Sequence, residues 1–410
     1  MSNQQLVESK GIFHGLPVYP SSLKGLTAII TGANGISGNY MLRVLAQDPE
    51  RWSKIYCLSR RPPTIPDGLP KNAEHIPLDF LQDPEKIAKV LKEKGVKADY
   101  VFFYSYVQVK PKEGGGLWSD AEEMCKVNTA LLKNFCEALP VANIKPKRIM
   151  LQTGAKNYGV HLGPTATPQE ETAPRVTLEP NFYYSQEDSL WDFCKKQDIG
   201  WNICMPSGIL GAVPDAAMNI VFPLGVYASV RKHLGEKLEF PTDLHAWEAT
   251  ACMSSSKMNA YMEQWAVLND GAKNEKFNTM DGTTFTWGNF WPKYAGWYGI
   301  EYEHPSLNDS AYTVITSQYD PPPRGFGPPA TFRIRFTLTA WAKQEKVDKL
   351  QDMDIDRIFG FTDGMMGFSL DLTMNKARKM GWHGFVDSND AIKEVLGEFA
   401  DLKMIPPLGK

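Results

Sequence analysis

A chain of 410 residues, 43% of them hydrophobic and 22% charged, can bury one large α/β domain with an elaborated second part, or two modest domains. Its net charge of -3 leaves no basic face for nucleic acid, and no apolar run approaches the ~20 residues of a membrane span. Six scattered cysteines without a CxxC pair, seven histidines without an HxxxH pair and the lack of a GxSxG turn speak against a disulfide scaffold, a zinc hydrolase and a serine hydrolase, and no resident metal is expected.

The opening MSNQQLVESKG is polar and has no apolar signal core, so a cytoplasmic protein with reduced thiols is expected. Leu26 to Thr31 is a short run rich in β-branched residues, which suits a strand buried on both faces. Gly32, Gly35 and Gly38 follow, and then helix-permissive residues run to about Gln47. A strand turning sharply into a helix needs residues without a Cβ where backbone and ligand meet, and the helix N-terminus offers N–H groups to a phosphate. This GxxGxxG spacing resembles the dinucleotide turn of extended short-chain dehydrogenases/reductases, and Thr31, Gly32, Asn34, Gly35, Ile36 and Gly38 are candidate cofactor contacts. A second strand, Lys54 to Ser59, ends in Ser59-Arg60-Arg61 where an NAD-binding chain places an acidic residue for the ribose. Two guanidiniums and a hydroxyl suit a 2′-phosphate instead, so NADPH/NADP is the expected cofactor.

A third strand, about His75 to Leu78, ends in Asp79, placed to accept from the adenine amino group, and Phe80, placed for core or adenine packing. A charged helix over Pro84–Lys94, a strand over Asp99–Tyr104, a helix over Ser119–Leu139 and a strand over Arg148–Thr153 complete the alternation. It specifies a Rossmann-type α/β fold: a doubly wound parallel sheet with its ligand at the carboxyl edge. The loop from Ser105 to Trp118, with three consecutive glycines, reads as a lid. It holds the chain's sole Tyr-x-x-x-Lys spacing, Tyr106 and Lys110, but no helical turn can align that pair beside Pro111.

A separated pair is the alternative. Thr153 and Gly154 end the fifth strand two residues before Lys156, and Asn181-Phe182-Tyr183-Tyr184-Ser185-Gln186-Glu187-Asp188 opens a helix running to about Lys196. The strand Trp201–Met205 then delivers Pro206, Ser207 and Ile209 to the expected nicotinamide edge. LQTGAKNYG followed by PNFYYSQED closely resembles the progesterone 5β-reductase/iridoid synthase-like enzymes. That resemblance implies catalysis by Lys156, in the TG-x-K-x-Y segment, with Tyr183, the first tyrosine of NFYY. It extends to the 272–291 stretch and to the segment from Met374-Asn375-Lys376 to Gly384-Phe385. Ala155 where the family often has arginine, Met205-Pro206-Ser207 for Arg-Pro-Gly, and a longer segment over His304–Lys343 depart from it on the substrate side.

Residues 1–211 are thus expected to be mainly the NADP-binding Rossmann domain. Residues 212–410 are expected to form mainly a substrate-binding cap, with segments returning to the sheet. In the cap, helices are expected over Met218–Leu234, Ser255–Leu268 and Trp287–Trp297, a short strand over Leu238–Phe240, and Asn278 and Gly282 in a turn. Phe359, Phe361, Met365, Met366 and Phe368 read as core or as a substrate wall. The expected activity is NADPH-dependent reduction of a small apolar α,β-unsaturated carbonyl or ketone in natural-product biosynthesis, with Tyr183 stabilising the enolate. The alternative is an NADP(H)-binding cyclase or isomerase without net redox; Lys156 and Tyr183 speak against a non-catalytic nucleotide sensor. A homodimer is allowed.

Overall fold

The first described residues form an antiparallel hairpin, β1 (Val7–Lys10) and β2 (Phe13–Pro17), which the sequence reading does not anticipate. In the computed structural model residues 6–409 are described, apart from 114, 217, 330, 346–353 and 368. β3 (Leu26–Thr31) passes through the glycine turn into α1 (Ile36–Leu45), and the alternation follows: β4 (Trp52–Ser59), β5 (Ala73–Pro77), α2 (Pro84–Glu93), β6 (Tyr100–Phe103), α3 (Ala121–Val141), β7 (Arg148–Gln152), α4 (Phe182–Gln197) and β8 (Gly200–Pro206). The strands expected from Lys54 and His75 each begin two residues earlier.

β9 (Gly208–Leu210) leads to α5 (Val221–Leu234), β10 (Leu238–Glu239), α6 (Leu244–Glu248), β11 (Thr250–Ala251), β12 (Met253–Ser255), α7 (Ser256–Leu268) and β13 (Glu275–Thr279). Then come β14 (Phe285–Thr286), α8 (Trp287–Tyr298), β15 (Tyr302–Glu303), β16 (Thr313–Thr316), β17 (Thr331–Ile334), α9 (Leu338–Gln344), α10 (Ile355–Met365), α11 (Asn375–Lys379) and α12 (Ser388–Asp401).

Seven strands make one parallel sheet in the order β13-β8-β7-β6-β3-β4-β5. Successive side chains on a strand face opposite ways. Ala28, Ile30, Phe102 and Met150 therefore enter one core with Trp265, Phe277, Trp287 and Trp291. Ile29, Val101, Phe103, Ile149 and Leu151 enter the other, against Leu132 and Phe135 of α3. The strand order reverses between β3 and β6, where a parallel sheet opens a crevice at its carboxyl edge.

One strand from the second half of the chain joins the sheet. β13 is its edge strand, so Asn278 lies within a strand rather than in the expected turn: its amide donates to the carbonyls of Gln169 (3.1 Å) and Thr373 (3.0 Å). Gly282, with φ +81°, does occupy the turn. The long segment after His304 carries the β16–β17 hairpin and lies against residues 159–164 through Ser317, whose hydroxyl donates to the Leu162 carbonyl (2.8 Å). The aromatic and methionine cluster divides. Phe359 and Met366 are core, Phe361 and Met365 face the crevice, and Phe368 lies outside the described residues. Among the described residues no helix is long and apolar enough to cross a membrane, and no cluster suits a metal ion.

Candidate active site

The loops after β3, β4, β6, β7 and β8 converge with α10 on a cleft of about 460 Å³. At its floor Gly32 has φ +62°, and a Cβ there would meet the Tyr104 backbone at 3.0 Å. A Cβ on Gly38 would stand 2.5 Å from the Gly32 carbonyl oxygen, so α1 can pack on the turn only with glycine at that place. Gly35 is different. Its added Cβ would touch little besides the Gly32 oxygen (3.4 Å), and no side chain caps the N-terminus of α1 beside it. Uncapped N–H groups, together with Asn34 and Ile36 on the lining, give this end of the cleft donors that suit an anion. Thr31 does not reach it. Its buried hydroxyl accepts from the backbone N–H groups of Tyr104 (3.0 Å) and Ser105 (3.2 Å), tying β3 to the end of β6.

Ser59 is buried and donates to the Arg61 carbonyl (2.6 Å), which turns Arg60 and Arg61 outward along the rim. Arg61 Nη2 lies 2.8 Å from Asp215, and Arg357 Nη1 lies 2.8 Å from the other oxygen of the same carboxylate. Asp79 accepts from the Leu81 N–H (3.0 Å) at the lining, and Phe80 both packs in the core and borders the cleft. Its ring packs edge-on against Phe135 (5.2 Å between centroids).

Thr153, Gly154, Lys156, Tyr183, Pro206, Ser207 and Ile209 all line the same cleft. Lys156 sits in a 3₁₀ turn, Ala155–Tyr158, directly after β7. Its ammonium lies 4.9 Å from the Trp118 ring centre and 5.3 Å from that of Phe182. Burial lowers its pKa to about 8. Tyr183 opens α4, and its hydroxyl would stand 3.2 Å from a Cβ on Gly154; the glycine of the TG-x-K segment makes room for the phenol. Burial raises the Tyr183 pKa above the ordinary tyrosine value.

Behind these two groups the NFYYSQED segment is pinned to the lysine turn. The Asn181 amide donates to the Lys156 carbonyl (3.0 Å), and the Tyr184 hydroxyl donates to the Asn157 carbonyl (2.5 Å) while accepting from the Val176 N–H (2.9 Å). Glu187, fully buried, accepts from Asn157 (2.8 Å) and pairs with Lys276 (2.7 Å) and Arg175 (3.1 Å). Tyr184 is thus a structural clamp. Tyr106 borders the cleft, accepting from the Trp118 indole (2.9 Å), but Lys110 is exposed and off the lining, so that pair does not converge.

At the other end stand Trp118, Val160, Phe361, Met365 and Leu370. His161 also faces this end, with Nε2 2.8 Å from Glu179, which in turn accepts from the Tyr319 hydroxyl (3.1 Å). Burial pushes His161 down to about 4, and it is neutral at physiological pH. Sequence reasoning misses His161, Glu179, Asp215 and Arg357. Arg357, Phe361 and Met365 had a legible signal, since a spacing of four places all three on one helical face.

A family model described as a PRISE-like Rossmann-fold domain matches residues 28–401. An uncharacterised protein of Schizosaccharomyces pombe is 30% identical over 413 residues, covering 93% of this chain and 99% of that one. The 3-oxo-Δ(4,5)-steroid 5β-reductase of Arabidopsis thaliana is 29% identical over 406 residues (94% and 95%). An (S)-8-oxocitronellyl enol synthase of Camptotheca acuminata is 27% identical over 394 (92% and 93%). Among solved structures, the Bordetella bronchiseptica enzyme WbmG in complex with NAD superposes with a TM-score of 0.57 at 15% identity, over 94% of this chain and 97% of that one.

Proposed function

We propose, starting from the fact that this chain belongs to the PRISE-like Rossmann-fold family, that it is an NADPH-dependent reductase of an apolar α,β-unsaturated carbonyl compound in natural-product metabolism. The reading is carried by one observation: Lys156 and Tyr183 line the same cleft as the glycine turn and the Arg60–Arg61 pair. The cofactor fits the groups present. An uncapped helix N-terminus and the open side of Gly35 suit a pyrophosphate, and two guanidiniums stand where an acidic residue would select NAD.

NADPH, when bound, supplies a hydride for the β-carbon of the enone. Tyr183 faces the carbonyl oxygen as enolate charge develops there, and it donates as a neutral phenol because burial holds its proton in place. Lys156, held against Trp118 and Phe182 on the same cleft, is the residue that would hold the nicotinamide ribose and supply a positive charge near the reacting groups. Phe361, Met365, Leu370 and Val160 give an apolar wall that adapts to an irregular hydrocarbon and excludes water. Relatives named as a steroid 5β-reductase and an enol synthase support an enone or enal substrate.

The test is NADPH consumption, with product identification, over a panel of enones, enals, quinones and ketones. A saturated carbonyl or its enol is the expected product, and Tyr183→Phe should slow turnover by on the order of 10²–10³ while still binding NADPH. Product formed without NADPH consumption would replace this reading with the cyclase or isomerase one.

A further inference from the structure

Asp215 lies between β9 and α5, far in sequence from the strand end that carries Arg61. Its two oxygens are each 2.8 Å from a guanidinium, Arg61 on one side and Arg357 of α10 on the other. All three residues border the cleft beside Arg60. Burial works to raise the Asp215 pKa, but hydrogen bonds from the two arginines outweigh it and hold the carboxyl below the usual value, so it is an anion at neutral pH. An anion on Arg61 at the rim occupies the donors that a cofactor 2′-phosphate needs. Three guanidiniums and one carboxylate leave a net charge of about +2, which matches the −1.5 to −2 of a phosphate monoester.

Resting on the NADPH reading above, we propose that Asp215 is an internal competitor for the 2′-phosphate on Arg61, and that Arg357 is the cation that offsets it and draws it aside. Arg357 is then part of the cofactor-specificity site, although it comes from the C-terminal third of the chain. Both charges are partly exposed, so the effects are moderate and screened by salt.

The measurement is direct titration of NADPH and NADH into the cofactor-free protein by fluorescence, at low and high salt. Asp215→Asn should tighten NADPH by about threefold to tenfold, and Arg357→Gln should weaken it by a similar factor. NADH should change little in either variant, and salt should shrink both effects. A role confined to structure would weaken both cofactors in both variants and overturn the proposal, as would an unchanged NADPH affinity in Asp215→Asn. Equal affinity of the parent for both cofactors would instead overturn the NADPH reading itself, and this inference with it.

Discussion

Lys156 rests on an aromatic floor of Trp118 and Phe182, and among the described residues no carboxylate pairs with it. Burial lowers its pKa to about 8, so the ammonium loses its proton as pH rises through that value, well before an ordinary lysine does. Anionic cofactor phosphates favour the charged form and move the transition upward. The expected outcome is an alkaline decline in kcat/KM with a midpoint at or above about 8. Lys156→Arg keeps its charge at every accessible pH, so it should displace that decline even if it lowers the rate. A pH profile with the same alkaline limb in Lys156→Arg would assign the limb to another group. Lys156 and Tyr183 were legible in the sequence because each sits in a contiguous segment, TGAKNY and NFYYSQED, whose neighbours Asn157, Asn181, Tyr184 and Glu187 are the clamp that positions them. Asp215 and His161 were not, because each acquires its role from a partner brought near by folding and no local pattern marks such a residue. For Arg357 the helical spacing marks the face, but not its pairing with Asp215.

The element most readable from the sequence is the turn from β3 into α1, yet its three glycines do different physical work. Gly32 needs a positive φ, Gly38 needs close contact with the Gly32 carbonyl, and Gly35 leaves open space toward the cleft. Gly38→Ala should therefore damage the fold, by about 1–3 kcal/mol of overpacking, because backbone rather than a flexible side chain blocks the new methyl. Gly35→Ala should leave stability nearly unchanged and weaken NADPH by roughly tenfold, the fold-change that 1–2 kcal/mol of steric conflict with a pyrophosphate produces. Thermal unfolding and cofactor titration of the two variants separate these effects. Cofactor binding by Gly35→Ala at the parent's affinity would move the phosphate away from this turn. β13 shows the opposite case. The sequence reading puts Asn278 in a turn, whereas Glu275–Thr279 belongs to the main sheet through pairing with Asn202–Pro206, some seventy residues earlier. Register across such a distance leaves no mark in local periodicity.

On size alone, 410 residues exceeds the roughly 250–300 at which single cores tend to split into domains. The chain nevertheless fastens its second half into its first at several points. β13 closes one edge of the parallel sheet, and Gln264 of α7 accepts from the buried Trp52 indole (3.3 Å). Arg148 donates to the carbonyls of Ala266 (2.7 Å) and Asn269 (2.8 Å). At the far end, Glu398 of α12 takes both terminal nitrogens of Arg43 at 2.8 Å and accepts from Tyr40, two residues of α1. One apolar core runs from Phe13 to Ile405 and includes Trp52, Trp287 and Trp291. A fragment ending at Gly211 would expose the edge of β8 over Asn202–Pro206 and strip the Ala28–Ile30 face of α7, so it should not fold or bind NADPH. The intact chain should unfold in one step, with tryptophan fluorescence and far-UV circular dichroism changing together. Glu398→Gln should lower stability by about 1–3 kcal/mol, because it leaves Arg43 half-buried beside a neutral amide, with little change in the NADPH affinity of the folded protein. A soluble 1–211 fragment that binds NADPH would show that the first half is a domain in its own right, and that the sheet can do without its seventh strand.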